Sequence, residues 1–231
     1  MSGLGRRVLA EFIGAAFLVA AIIGSGIAAS SRSPNDVGLQ LFENAAATAA
    51  ALIAIILAIG PVSGAHLNPV VTVADWITGG TPRRDVAGYI GAQFLGGMVG
   101  AIVANLMFDL PAIEISQTHR SGSGILLSEV IATLGLVIVV FGVVRSRRTG
   151  VAAFAVGAYI GAAYFFTSST SFANPAVTVA RTLSNTFAGI APSSVPAFVL
   201  AELVGGLVFG LLVVRTIYPP EPKLEDQSTN L

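Results

Sequence analysis

The chain has 231 residues, 54% of them hydrophobic and only 10% charged, with twelve basic residues against twelve acidic ones. That composition excludes an ordinary soluble domain and leaves no net field to attract nucleic acid or an acidic substrate. The chain contains no cysteine, so disulfides, thiol metal ligands and thiol nucleophiles are excluded as well. Six apolar stretches are long enough to cross a hydrocarbon core of about 30 Å, which takes about 20 helical residues. They lie near 8–30, 39–60, 86–108, 125–144, 151–168 and 197–217, with boundaries good to about 2–4 residues. Helices are the form these spans must take, because open sheet edges leave backbone groups unpaired in lipid.

The first stretch follows Arg6-Arg7 and reaches small residues at Ala28-Ala29-Ser30, as a signal peptide would. Glu11 inside the run and its length of about 20 residues mark it instead as a retained span. After the second stretch comes Asn68-Pro69-Val70, and after the fifth comes Asn174-Pro175-Ala176, 106 residues later. Each triplet leads into the same tetrapeptide, Val-Thr-Val-Ala, at Val71 to Ala74 and Val177 to Ala180. Asn is a strong helix N-cap and Pro suits the first helical turn, so each copy starts a helix.

Other residues repeat with the triplets. Glu11-Phe12-Ile13 opens the first span as Glu129-Val130-Ile131 opens the fourth, and Ala92-Gln93-Phe94-Leu95-Gly96-Gly97 answers Ala201-Glu202-Leu203-Val204-Gly205-Gly206. Each half thus reads as span, span, half-helix, span, in one domain with repeats over about 1–115 and 116–218. Three spans per half is an odd number, so the second repeat is inverted and the half-helices dip in from opposite faces. At about 10 residues each they reach about 15 Å, the bilayer midplane, where two such helix starts make a pore. The predicted fold class is an all-α membrane protein with six transmembrane helices and two re-entrant half-helices. Gly96 with Gly100, and Gly206 with Gly210, fall on one helix face in each half and are expected to pack tightly against the half-helices. Arg6, Arg7, Arg83, Arg84, Arg145, Arg147, Arg148, Arg215 and Lys223 fall on one side; Arg32, Arg120 and Arg181 fall on the other. By the positive-inside rule both termini are cytoplasmic, and the polar tail 219–231 reads as disordered.

These motifs closely resemble the aquaporin and aquaglyceroporin (major intrinsic protein) family over essentially the whole chain. The match is carried by Ala10-Glu11-Phe12-Ile13-Gly14, by Ser63-Gly64-Ala65-His66-Leu67-Asn68-Pro69 and by Ser171-Phe172-Ala173-Asn174-Pro175-Ala176. The resemblance implies a homotetramer in the lipid of the inner (plasma) membrane, each subunit passing water or small neutral solutes down their gradients. It implies no cofactor and no metal.

Asn68 and Asn174 cap helix N-termini, which leaves their side-chain NH₂ groups free to donate to a passing solute. The carbonyls of 64–67 and 171–173 line the lane as acceptors, and the two positive helix ends at the midplane oppose cations. Glu11 and Glu129, ionisable groups inside spans, read either as a proton relay or as acceptors for the N–H groups of the re-entrant loops; the symmetry and the resemblance favour the second. His66 either lines the vestibule and gates by protonation or braces its loop.

Most members of the family place an arginine directly after the second motif, and here that position is Val177. The other filter positions, carried over by spacing, are Thr48, Ala162 and Ser171, so the resemblance implies a wide, uncharged filter. Such a filter should pass water, glycerol and urea, and the pattern is similar to bacterial aquaglyceroporins associated with arsenic resistance, whose implied solutes are neutral metalloid hydroxides such as arsenite. Arg181, one turn beyond Val177, either restores positive charge to the vestibule or caps loop carbonyls, with Glu43 and Asn44 as its neighbours by depth. An ion-coupled secondary transporter also uses inverted repeats and broken helices, but it needs converging carboxylates where this chain has amides. An enzyme has no support, since His66 and His119 lie in separate loops and no catalytic constellation accompanies them.

Overall fold

The computed structural model describes residues 3–218, and the tail 219–231 lies outside them. It is 77% helical. Four long helices span at α1 (Gly3–Arg32), α2 (Val37–Ser63), α4 (Arg83–Met107) and α5 (Ser123–Arg145). The fifth span is a 3₁₀ turn (Thr149–Val151) running into α6 (Ala152–Phe166), and the half-helices are α3 (Pro69–Ile77) and α7 (Pro175–Ala180). The sixth span joins α8 (Val195–Leu203) to α9 (Leu211–Ile217) through a π-helical stretch, Val204–Gly210. All six spans are long and apolar enough to cross a membrane. Large side chains such as Phe17, Leu95, Phe154, Phe166, Leu200 and Leu212 are exposed on the outer surface, where lipid rather than water is the solvent.

Local chemistry sets the helix ends. Asp36 caps α2 by accepting from the Leu39 N–H at 2.9 Å, and Gly64 ends that helix with φ +90°, a left-handed conformation that costs glycine nothing. Asn68 and Asn174, both extended, begin α3 and α7 with proline in the first turn, as the triplets predict. Arg7 donates to Asp85 at 2.7 Å, tying the starts of α1 and α4 on one membrane face, here the N-terminal face.

Glycines hold the bundle together, and of the four glycines expected against the half-helices only Gly206 packs there. A methyl group at Gly96 or Gly100 would collide with the carbonyls of Phe12 and Ala16, so this pair seats α4 on α1 rather than on a half-helix. Gly97 instead faces α7, 3.2 Å (as a Cβ) from Ala180. In the second repeat Gly205 meets the Val130 carbonyl, Gly206 faces Val70 of α3 and Gly210 lies against Val137 of α5. A helix face holds residues three and four apart, so the close backbone approach to the neighbouring span takes one member of each Gly-Gly pair and the half-helix takes the other.

Gly100→Leu is therefore expected to separate α1 from α4 and to abolish a monodisperse detergent peak or lower the melting midpoint, an overpacking cost of about 1–3 kcal/mol or more. Gly91→Leu, where a Cβ has open space, should leave both unchanged.

Candidate functional site

A cavity of about 640 Å³ passes between the two repeats. It is lined from Asp75, Thr149 and Gly150 near the N-terminal face, past Asn68 and Asn174, to Tyr164 and Arg181 near the opposite face. Its centre is built by the two re-entrant loops, and the repeat seen in the sequence is a repeat in backbone geometry. Ala65 and Leu67 carry positive φ (48° and 54°), as do Ser171 and Ala173 (51° and 49°). Such left-handed residues turn successive carbonyls the same way and are costly without glycine, so something must hold them.

Glu11 and Glu129 do so. Glu11 accepts from the backbone N–H groups of His66 (2.9 Å) and Leu67 (2.7 Å), and from Ser63 Oγ (2.7 Å). Glu129 accepts from the N–H groups of Phe172 (3.0 Å) and Ala173 (2.8 Å). Both carboxylates are fully buried behind the loops and neither lines the cavity. Of the two readings, this geometry is that of loop anchors, because a relay would have to reach the lumen.

Sequence reasoning aligned Gln93 with Glu202 but gave neither a role. Gln93 Nε2 donates to Glu11 (2.8 Å) and to Thr72 Oγ1 (2.9 Å). In the second repeat Glu202 accepts from the Asn174 N–H (3.2 Å) and from Thr178 Oγ1 (2.5 Å). The threonines of the two Val-Thr-Val-Ala stretches thus tie each half-helix to the last span of its own repeat, a signal visible in the paired sequences.

The Asn side chains are less free than the sequence implied. Asn68 Oδ1 accepts from the Val70 N–H at 2.9 Å, and Asn174 Oδ1 from Ala176 (3.0 Å) and Val177 (3.3 Å). Each Nδ2 then donates across the junction, Asn68 to the Ala173 carbonyl (2.7 Å) and Asn174 to the Leu67 carbonyl (2.8 Å). An amide nitrogen has two N–H groups, so one of each pair fastens the repeats together and the second remains for a solute. Pro69, Val70, Pro175 and Ala176 are buried and do not line the cavity. Val70 packs against Gly206, which is why a side chain larger than alanine fits there.

Of the filter positions, Thr48, Ser171 and Val177 line the cavity, and Ala162 does not. Ala162 is exposed on the outer face of α6, whereas Val156, Ile160 and Tyr164 line the cavity. These three are spaced by four, and a residue two positions from either Ile160 or Tyr164 points about 200° away. The Tyr164 hydroxyl reaches Thr48 Oγ1 at 3.3 Å, so a phenol stands where a methyl was expected. The Ser171 hydroxyl is buried without a hydrogen-bond partner.

His66 both lines the cavity and is braced. Its Nδ1 is 3.2 Å from Thr72 Oγ1, its Nε2 is 3.7 Å from Asp75 Oδ2, and its ring meets Tyr89 edge-on. Arg181 caps a loop carbonyl and also lines the cavity: Nε donates to the Ala188 carbonyl, and the guanidinium carbon stands 3.4 Å from the centre of the Phe172 ring at the cavity wall. Asn44 and Glu43 are not its partners. Asn44 Nδ2 donates to the Ile22 carbonyl and to Ser25 Oγ (both 2.8 Å), and Glu43 accepts from Ser33 (2.8 Å). Helical spacing did not give the neighbour, because α1 covers that face of α2. Among the described residues no group of His, Asp or Glu could hold a metal ion.

A family model described as Major intrinsic protein matches residues 2–171. The chain belongs to the major intrinsic protein family. It is 44% identical over 225 residues to aquaglyceroporin AqpS of Rhizobium meliloti, a match covering 97% of this chain and 96% of that one. It is also 30% identical over 230 residues to the probable aquaporin AqpM of Archaeoglobus fulgidus, covering 88% and 94%. The X-ray structure of the aquaglyceroporin from Plasmodium falciparum superposes with a TM-score of 0.69 at 21% identity, covering 94% of this chain and 98% of that one, and shows the shared fold. As a major intrinsic protein the chain is a multi-pass membrane channel for water and small solutes, a non-enzymatic transporter.

Glu129→Gln replaces one acceptor oxygen with an NH₂ facing a backbone N–H. We expect the unmade bond to cost about 1–3 kcal/mol, lowering the melting midpoint and reducing water permeability per protein in proteoliposomes. Leu127→Ala, on an exposed side chain of the same helix, is the control and should preserve both.

Proposed function

We propose that this channel is passive, that it carries uncharged solutes including glycerol, urea and neutral metalloid hydroxides such as arsenite, and that its filter lacks an arginine at the level of Val177. The observation that carries the reading is the chemistry of the cavity wall. At its centre stand two amides and a row of loop carbonyls, while the carboxylates of Glu11, Glu129 and Glu202 are sealed behind it. A coupled transporter would need titratable groups or converging carboxylates at that depth. The 44% identity to a protein named an aquaglyceroporin supports solutes larger than water.

Thr48 and Val177 are the small residues that leave room for such solutes, and Tyr164 rather than Ala162 stands beside Thr48 in the cavity wall. We further propose one domain made of two inverted repeats, over about 1–115 and 116–218, whose N-terminal face is cytoplasmic in the plasma membrane and carries both termini. The exposed apolar faces would be shared between lipid and three further copies in a homotetramer.

Stopped-flow light scattering on proteoliposomes tests the main reading. Flux of water, glycerol and arsenite should follow the solute gradient and stay unchanged when a proton or sodium gradient is imposed; flux that needs either ion gradient would establish coupled transport instead. Val177→Arg should place a bulky fork of donors in the lane. It is expected to lower the glycerol-to-water permeability ratio about tenfold, and an unchanged ratio in a folded variant would remove Val177 from the constriction.

A further inference from the structure

Resting on the channel reading above, we infer that Arg181, one turn beyond Val177, is the charge-selecting residue of this pore. The chain has not dispensed with a cationic filter; it carries the cation on a different turn. Arg181 is 2% exposed and lines the cavity near the face opposite the N-terminus. Among the described residues the ion pairs are Arg7–Asp85, His66–Asp75 and Arg84–Asp85, and Arg181 takes part in none.

Its anchors are neutral. Nε donates to the Ala188 carbonyl, and the guanidinium lies over the Phe172 ring. Neither contact carries a formal charge, and the Glu129 and Glu202 carboxylates that act on the guanidinium do so from behind the cavity wall, so its positive field faces the lumen. The segment that holds Arg181 is itself fixed by a second cation. Arg120 Nε donates to the Gly189 carbonyl (3.0 Å), its Nη2 donates to the Phe187 carbonyl (3.3 Å), and its guanidinium carbon is 5.1 Å from the centre of the same Phe172 ring. Burial pushes the Arg120 pKa below its usual value, with the Glu129 carboxylate acting in the opposite direction.

The same end of the lumen presents hydroxyls, those of Tyr164, Thr48 and Ser171. The Ser171 hydroxyl, unpartnered and buried, has bonding capacity left for a solute. A neutral polyhydroxylated molecule can accept from the guanidinium and exchange hydrogen bonds with these hydroxyls, replacing its lost water. A hydrated cation meets positive charge with no carboxylate lining the lumen at that end and is turned back. Specificity here comes from an unfavourable term for the excluded species rather than from a narrow hole.

The test uses purified full-length protein in liposomes loaded with sodium- and pH-sensitive dyes under an imposed diffusion potential, with water flux read on the same vesicles. Arg181→Gln removes the charge but keeps an amide N–H for the Ala188 carbonyl. It should remain an open water channel, whatever its water rate, and raise sodium or proton entry relative to that water flux about tenfold or more. Adding Val177→Arg in that background should restore exclusion.

Ser171→Asp offers a route that leaves Arg181 untouched: aspartate tolerates the left-handed backbone at this position, and its carboxylate would neutralise the guanidinium from the lumen side. It too should leak cations, so the inference does not depend on Arg181→Gln folding. Folded, water-conducting variants that stay cation-tight overturn the inference and leave the channel reading intact. A wild type that passes water no faster than empty liposomes overturns the channel reading and this inference together.

Discussion

Everything in the lumen depends on two buried carboxylates that never touch it. To line a pore with carbonyls, the loop backbone must adopt left-handed conformations at Ala65, Leu67, Ser171 and Ala173, none of which is glycine. Each such residue is strained by about 1–3 kcal/mol and leaves its N–H pointing away from the lumen, into apolar protein. An unpaired N–H there would add a further penalty. Glu11 and Glu129 remove that penalty for the N–H groups of His66, Leu67, Phe172 and Ala173, while the Ser63 and Ser169 hydroxyls accept from those of Ala65 and Ser171. Donors face outward onto a carboxylate, so acceptors face inward onto the solute. The ionisable groups inside the spans are thus explained by backbone satisfaction, without any proton movement.

The junction at the midplane adds a second constraint. Asn68 and Asn174 each spend their oxygen on a helix start and one N–H on the opposite repeat's loop. This crossing makes the pore centre a property of both halves at once, since moving either half-helix breaks bonds in the other. Gly97 and Gly206 give α7 and α3 the room to reach that point.

The architecture was legible in the sequence because it is written in long-range periodicities: six runs of sufficient length, two Asn-Pro starts 106 residues apart, and a glutamate near the start of each repeat. Glu11 and Glu129 could be assigned as loop anchors since their positions are fixed by the repeat itself. Ala162 could not be placed, because a filter position carried over by spacing assumes an unchanged helical phase, and two residues' error on α6 turns the lumen face to the outer face. The π-helical stretch Val204–Gly210 was equally hidden: it is a local backbone shift that lets Gly205 approach the Val130 carbonyl while Gly206 faces Val70, and the Gly-Gly pair alone does not announce it. Arg181 was open to two readings that are compatible, since one long side chain can bond a carbonyl with Nε and still line a cavity.

Where the repeats differ is where selectivity has room to arise. Val71 and Val177 are equivalent in the two repeats, and both line the cavity, so the half-helices present nearly symmetric apolar first turns to the lane. Asymmetry enters at the two ends: His66 with Asp75 near the N-terminal face, and Arg181 with Tyr164 near the other. The first end carries a carboxylate close to its imidazole in the cavity wall, while the guanidinium at the second is held by a carbonyl and an aromatic face with no carboxylate lining the cavity there. A lane whose middle is symmetric and free of charged side chains can pass water in both directions, with discrimination by side-chain charge left to the mouths. The charge that decides which ions are refused therefore sits where a solute first exchanges its hydration shell for protein, and not at the midplane where that exchange is already complete.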